Sequence, residues 1–192
     1  MTRPLLPVLA AFALLVPAAT WAQRAPAYAA SAAADVKPLS PTQRLERRFL
    51  QISAANMRFE AEASVQVATH SNNPAVKDLA KAVLARQKTA QPEILHLLHA
   101  RGMALPILGN EHNKVLKQLP RANGAKFDRL YVEEVALRSY QADVANFEKM
   151  STQAEDPVLK AWVERQLPVL RSHLEVAGRA LPGASVRGHR AL

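Results

Sequence analysis

The chain has 192 residues, a formal net charge of +9 and no cysteine. The absence of cysteine excludes thiol catalysis, thiolate metal sites, disulfides and lipoprotein anchoring at a cysteine. The positive charge favours contact with anionic surfaces such as phosphate-bearing lipids or acidic polymers, and it also serves solubility alone. With much alanine and leucine and only 6 glycines, the composition favours helices.

Residues 1–22 are predicted to be a cleavable secretory signal peptide. A short basic start precedes an apolar run over 5–18, which two prolines interrupt. Thr20 and Ala22 then occupy the two small-residue positions that a signal peptidase reads, so we expect cleavage before Gln23, and Ala27-Tyr28-Ala29 offers a second candidate site. Because the apolar run is shorter than a membrane span needs, we expect no transmembrane segment in the mature chain.

The chain between residues 23 and 39 is rich in alanine, proline and serine, and we interpret it as a flexible linker. Residues 182–192 are predicted to form a disordered basic tail. The folded domain is therefore expected over 40–181, delivered to the periplasm or secreted. Export argues against nucleic acid as the partner of the basic charge.

Two long helices are predicted in the first half of this domain. The first begins at Ser40, a cap residue followed by proline at the first helical position, and runs to about His70. The second begins in the same way at Asn73 and ends near Gly102. Apolar residues recur along both at the three- and four-residue spacing of an amphipathic helix.

The second half is predicted to hold a short helix and two more long helices. The short helix covers 111–119, the third long helix covers 124–152, and Asp156 with its following proline opens the fourth. Pro92 and Pro168 lie inside long helices and should bend them. Long helices joined by short loops pack as antiparallel neighbours. The predicted fold class is therefore all-α, an antiparallel four-helix bundle with a short extra helix in the connection between helices 2 and 3.

Five motifs spread over residues 43–180 resemble one bacterial exported family. They are Glu60-Ala61-Glu62, Asn73-Pro74-Ala75-Val76-Lys77, the segment from Gly102 to Pro106, Phe127-Asp128-Arg129-Leu130-Tyr131, and the Leu-Pro-x-Leu-x-x-His-Leu pattern from Leu167 to Leu174. In this order the chain resembles the family called domain of unknown function 4142 (DUF4142), a ferritin-like helical bundle. The resemblance implies a ferritin-like four-helix fold and no established activity.

The chain departs from the pattern of that family where the family usually carries histidines. In the middle of the second helix, Arg86 and Gln87 stand where the family has Asp-His. On the third helix, Ser139 or Tyr140 stands where the family has another histidine. Of the recurrent histidines, only His173 remains.

Helical periodicity places several polar side chains near the apolar faces of the long helices. Buried polar groups need partners, so these side chains are expected to meet one another. Together they would form either the remnant of a metal or ligand pocket or a structural hydrogen-bond network. The candidate internal polar cluster consists of Asn56, Glu60, Gln87, Tyr140 and His173.

Two weaker metal sites can be considered. Glu60 and His173 are candidate ligands inside the domain, where carboxylate and imidazole groups would suit iron, manganese or zinc. His96 and His99 lie three residues apart on one helix face, a spacing that can hold a surface copper, nickel or zinc ion. A ferritin-like site needs a Glu-x-x-His motif from each of two helices, and the sequence has one, from Glu93 to His96.

Two classes of function follow from these observations. The first is a non-enzymatic exported protein of binding, envelope or stress-associated type, with no cofactor, whose partner is an anionic envelope component or another protein. One form of it would hold small molecules in an apolar cavity lined by Gln87 and Tyr140. The second class is a ferritin-like metal-binding protein or metal-dependent oxidoreductase with a degenerate site for Fe, Mn, Zn or Cu. The missing histidines favour the first class.

Overall fold

The computed structural model describes residues 38–184, and every regular element within that range is a helix. The predicted signal peptide lies outside the described residues, as do 23–37 of the predicted linker and 185–192 of the predicted tail. The prediction of an all-α domain is confirmed. None of the helices in the described range combines the length and apolarity that a membrane span requires.

The helices follow the predicted order along the chain. We name them α1 to α5 and treat 124–153 as one helix, α4, because its three segments are continuous. They are α1 (Pro41–His70), α2 (Pro74–His99), α3 (Asn110–Gln118, followed by the 3₁₀ turn Leu119–Arg121), α4 (Gly124–Leu130, Tyr131–Leu137 and Arg138–Gln153) and α5 (Pro157–Ala180).

Side-chain caps explain where three of the long helices begin. Ser40 and Gln43 form a reciprocal capping box at the start of α1. Asn73 accepts hydrogen bonds from the first backbone N–H groups of α2, and Asp156 does the same for α5. Each cap is followed by proline. Proline has no backbone N–H, and no hydrogen bond is lost, because the N–H at the first helical position has no acceptor within the helix. Because these cap residues and prolines are recognisable in the sequence, the predicted first residues of the three helices agree with the observed ones.

The middle of α4 departs from regular α-helix. Tyr131–Leu137 forms a π-helix, and all of its residues except Glu134 are buried. A π-helical segment widens the helix and turns its side chains relative to the regular spacing, and such segments are frequent at functional sites. The periodicity of the sequence did not indicate it.

The four long helices enclose one core. α1 packs along α2, the C-terminal segment of α4 packs along α5, α2 also contacts α5, and α1 also contacts α4. At one end of the core the rings of Phe49 and Phe147 lie 4.9 Å apart, and the Phe147 ring lies 5.4 Å from that of Trp162. At the other end Phe127 stacks on Tyr131. The polar cluster described next lies within this apolar core.

Candidate functional site

A buried ion pair joins α1 to α2. Nη1 of Arg86 lies 3.4 Å from Oε2 of Glu60, and the two side chains are only 5% and 1% exposed. Glu60 follows Phe59 on the inner face of α1, and Arg86 lies between Val83 and Ala90 on the inner face of α2. A charge that leaves water needs an opposite charge beside it, so each of these groups depends on the other.

A second carboxyl group approaches the same point from α4. Asp143 is buried, and its Oδ1 accepts a 2.6 Å hydrogen bond from Nδ2 of Asn56 on α1. The charge of Asp143 also acts on Glu60. Three helices thus contribute to one cluster of two carboxyl groups, one guanidinium and one amide.

The pKa values of both carboxyl groups are raised. Burial raises the pKa of Glu60 well above its usual range, and Asp143 raises it further, while Arg86 acts to lower it. Burial raises the pKa of Asp143 to about 6, against the lowering effects of Asn56 and Arg86. Burial and the repulsion between the two carboxyl groups therefore favour uptake of a proton by this pair. The positive charge of Arg86 stabilises the negative charge that remains.

Tyr140 and His173 form a second pair beside this cluster. The Tyr140 hydroxyl and Nδ1 of His173 share a 3.2 Å hydrogen bond, which joins α4 to α5. Burial raises the pKa of Tyr140, and nearby Glu60 raises it further. Burial together with the charge of Arg86 lowers the pKa of His173 to about 4. Both groups are therefore neutral at pH 7, so they add no charge to the cluster.

The first residue of the π segment is tied to α1. The Ser64 hydroxyl lies 2.7 Å from the carbonyl oxygen of Glu60, to which it donates, and 2.8 Å from the Tyr131 hydroxyl. Because Ser64 has a single proton to give, the Tyr131 hydroxyl is the donor to Ser64 Oγ. Burial raises the pKa of Tyr131, so its hydroxyl stays neutral and remains a donor.

The model of the protein family described as a domain of unknown function (DUF4142) matches residues 28–180. The chain belongs to the DUF4142 family. Comparison with curated proteins and with solved structures finds no match. The family is described as a domain of unknown function, so membership assigns no activity to this DUF4142 domain.

The structure brings most of the predicted cluster together. Asn56 and Glu60 lie in the charged cluster, and Tyr140 and His173 form the adjoining pair. Gln87 is half-buried, and its Oε1 atom has no hydrogen-bond partner within 38–184. Gln87 therefore lies beside the cluster without joining it through a hydrogen bond.

The surface histidines lie away from the cluster. His96 and His99 are both exposed. His96 lines an apolar groove of about 640 Å³ between α2 and α5, which also includes Trp162 but neither Gln87 nor Tyr140. Glu93, one turn before His96, pairs with Arg165 across this groove at 3.5 Å. The carboxylate closest in sequence to the histidines is therefore already engaged with a guanidinium.

Sequence reasoning missed Asp143, Ser64 and Tyr131, and it named Arg86 only as a departure from the DUF4142 pattern. Asp143 could have been found, because it lies three residues after Tyr140 and four before Phe147, on the buried stripe of α4. Tyr131 could have been found in the same way, because it lies four residues after the buried Phe127.

The internal cluster does not fit a ferritin-like metal centre. Glu60, Asp143 and His173 could supply oxygen and nitrogen ligands, but the guanidinium of Arg86 already lies against the Glu60 carboxyl. A second cation at that point would meet like-charge repulsion in a medium of low dielectric constant. Among the described residues, no three His, Asp or Glu side chains converge as a metal-binding group.

Proposed function

We propose that this DUF4142 protein is an exported, ferritin-like four-helix bundle that acts by binding a partner and not by catalysis. The observation that carries the proposal is the position of Arg86, a cation of the chain itself that lies against the buried carboxyl group of Glu60 and whose charge also acts on Asp143. With charge balanced inside the domain, the ion pair joins α1 to α2 and the bond from Asn56 to Asp143 joins α1 to α4. We therefore expect the partner to bind at the surface of the domain and not at the internal cluster.

Export is supported by the N-terminal pattern of a basic start, an apolar run over 5–18 and small residues at Thr20 and Ala22. The test is to express the full chain with its own N-terminus, separate periplasm from cytoplasm and determine the first residue of the recovered protein. We expect recovery from the periplasm or the medium with Gln23 as the first residue. Full-length protein confined to the cytoplasm would contradict the proposal.

The rival function is a metal-binding protein or metal-dependent oxidoreductase, and metal analysis separates the two. Purified protein is incubated with Fe²⁺, Mn²⁺, Zn²⁺ or Cu²⁺, desalted and analysed for bound metal. We expect no stoichiometric metal inside the domain, and near-stoichiometric iron or manganese would overturn the proposal. A parallel H96A/H99A variant identifies copper or zinc held at the surface pair, because such metal would be lost from that variant.

The variant Arg86→Ala sharpens this test. It removes the internal cation and leaves Glu60, Asp143 and His173 around the vacated space. Carboxylate and imidazole groups without a cation attract a divalent metal. We therefore expect R86A to take up more Mn²⁺ or Zn²⁺ than the wild type, and equal uptake would show that Arg86 does not exclude the metal.

A further inference from the structure

The connection between α2 and α3 exposes two large apolar side chains. Leu105 is 48% exposed and Ile107 is 88% exposed, the highest value among the exposed large apolar residues of the described chain. Pro106 between them stiffens the backbone. The next residue, Leu108, is half-buried against the core. The loop therefore contacts the core at Leu108, while Leu105 and Ile107 are exposed to solvent.

The short helix that follows has an inner and an outer face. His112, Val115 and Leu116 are half-buried, at the spacing of one helical stripe, and the His112 ring stacks on Phe59 at 4.4 Å. Lys114 and Lys117 on the opposite side are exposed. No residue of α3 is fully buried. The outer face of α3 therefore presents lysines within twelve residues of the exposed apolar side chains.

The segment around α3 carries an excess of positive charge. Between residues 102 and 127, Glu111 is the single acidic residue, against four basic ones. Within 38–184 none of those four cations forms an ion pair. They are Lys114, Lys117, Arg121 and Lys126.

We propose that Leu105, Ile107, Lys114 and Lys117, here called the basic tip, dock the protein on a bilayer of anionic phospholipid. The inference rests on the proposed function, since it names the partner of an exported binding protein. The two apolar side chains enter the boundary between headgroups and acyl chains, and the lysines meet phosphate groups beside them. Lys114 and Lys117 lie four and seven residues after Asn110, the first residue of α3, so they are about 6 Å and about 10 Å along the helix axis from the end of the loop.

A bilayer suits this surface better than a protein partner does. A stable protein interface buries on the order of 800 Å² on each partner around an apolar centre, whereas the basic tip offers two apolar side chains. A lipid surface needs no matching shape. Insertion of a small apolar group and attraction of nearby cations to anionic headgroups both strengthen binding to it.

Vesicle co-sedimentation tests the proposal. The full chain is mixed with vesicles of phosphatidylglycerol and phosphatidylcholine in equal parts, and with vesicles of phosphatidylcholine alone. We expect binding to the anionic vesicles that weakens as salt is raised. The K114Q/K117Q variant should bind about 30-fold more weakly, from roughly 1 kcal/mol per lysine near the surface. The L105S/I107S variant should lose about tenfold or more, because both side chains lose their apolar burial.

Matched controls come from other faces of the domain. Val65 and Val158 are 64% and 62% exposed, and Lys88 and Lys160 are exposed and outside the ion pairs of the described residues. The V65S/V158S and K88Q/K160Q variants remove the same kinds of group and should bind like the wild type. All variants keep the same N-terminal segment, so its contribution to vesicle binding cancels in the comparison. Far-UV circular dichroism verifies that each variant is folded.

Three results would overturn the inference: a wild type that binds no anionic vesicles, equal binding to phosphatidylcholine alone, or tip variants that bind like the controls. If the wild type does not bind vesicles but self-associates through Leu105 and Ile107, the partner of this surface is a second copy of the chain. Failure of the basic tip leaves export and metal content untouched, so it is distinguishable from failure of the proposed function.

Discussion

Arg86 on α2 and Glu60 on α1 meet at 3.4 Å in the interior, with 5% and 1% of their side chains exposed. Asp143 on α4 completes the group, so a single guanidinium faces two carboxyl groups. Because the pair is removed from water, its members cannot be lost one at a time without leaving an unbalanced charge.

Replacement of Arg86 by methionine should destabilise the fold. We expect R86M to lower the free energy of unfolding by about 3 kcal/mol at pH 7, the lower end of the range for breaking a buried pair, because the acids can take up protons. The deficit should shrink at pH 5, where Asp143 is protonated. Urea unfolding at the two pH values measures both effects.

Arg58 provides the matched control. It pairs with Glu62 at 2.7 Å on the surface of α1, with 45% and 42% of the side chains exposed. The same change, R58M, should cost about 0.5 kcal/mol or less, since exposed pairs contribute little. Equal effects of R86M and R58M would show that the internal pair does not stabilise the fold.

Asp143 and His173 should make opposing contributions to the pH dependence of stability. The pKa of Asp143 is raised from 3.8 to about 6 in the folded protein, so its contribution is present at low pH and is lost as pH rises through about 6. The pKa of His173 is lowered from 6.5 to about 4, so its contribution is present above 6.5 and is lost as pH falls through about 4.

Single substitutions separate these contributions. D143N should make stability rise more steeply with pH between 4 and 6 than in the wild type, because the falling contribution is gone. H173Q should shift the dependence the other way while keeping a hydrogen-bonding group near Tyr140. Urea unfolding at pH 4, 5, 6 and 7 gives the curves, and parallel curves for all three proteins would disprove the assignment.

The bond from Tyr131 to Ser64 should be measurable as a coupling energy. A double-mutant cycle of S64A and Y131F is expected to give about 1 kcal/mol, the net contribution of a buried hydrogen bond. A cycle of S64A with Y140F serves as the reference, because Tyr140 bonds to His173 instead, and it should be additive. Coupling of the same size in both cycles would contradict the geometry.

Glu46 should stabilise the start of α5 from a distance of more than a hundred residues in sequence. Its Oε1 accepts hydrogen bonds from the backbone N–H groups of Glu155 at 2.9 Å and Asp156 at 3.0 Å. E46A should cost about 1–3 kcal/mol, because two N–H groups lose their acceptor. E46Q keeps an acceptor oxygen and should cost less than half as much in thermal unfolding, and equal costs would count against this role.

Helical periodicity predicted the inner face of α2 to within one residue. The difference of one residue matters, because it decides whether a charged or an uncharged side chain lies next to Glu60. Val83 and Ala90 mark the buried stripe, and both Arg86 and Gln87 fall between them. The prediction chose Gln87, whereas Arg86 is the side chain that is buried and paired with Glu60. Neighbouring residues of a helix differ by about 100° in direction, so the partner on α1 decides which of the two turns inward.

What the sequence determined by itself is local: the capped starts of α1, α2 and α5, the all-helical class and the inner faces. A cap and its first turn are a few residues apart, so their hydrogen bonds can be read from neighbouring letters. The tertiary structure decided the approach of Asp143 to Glu60, the pairing of Glu60 with Arg86 and the π segment that begins at Tyr131. Each depends on residues that are tens of positions apart in sequence, and the energies of buried charges depend on what surrounds them.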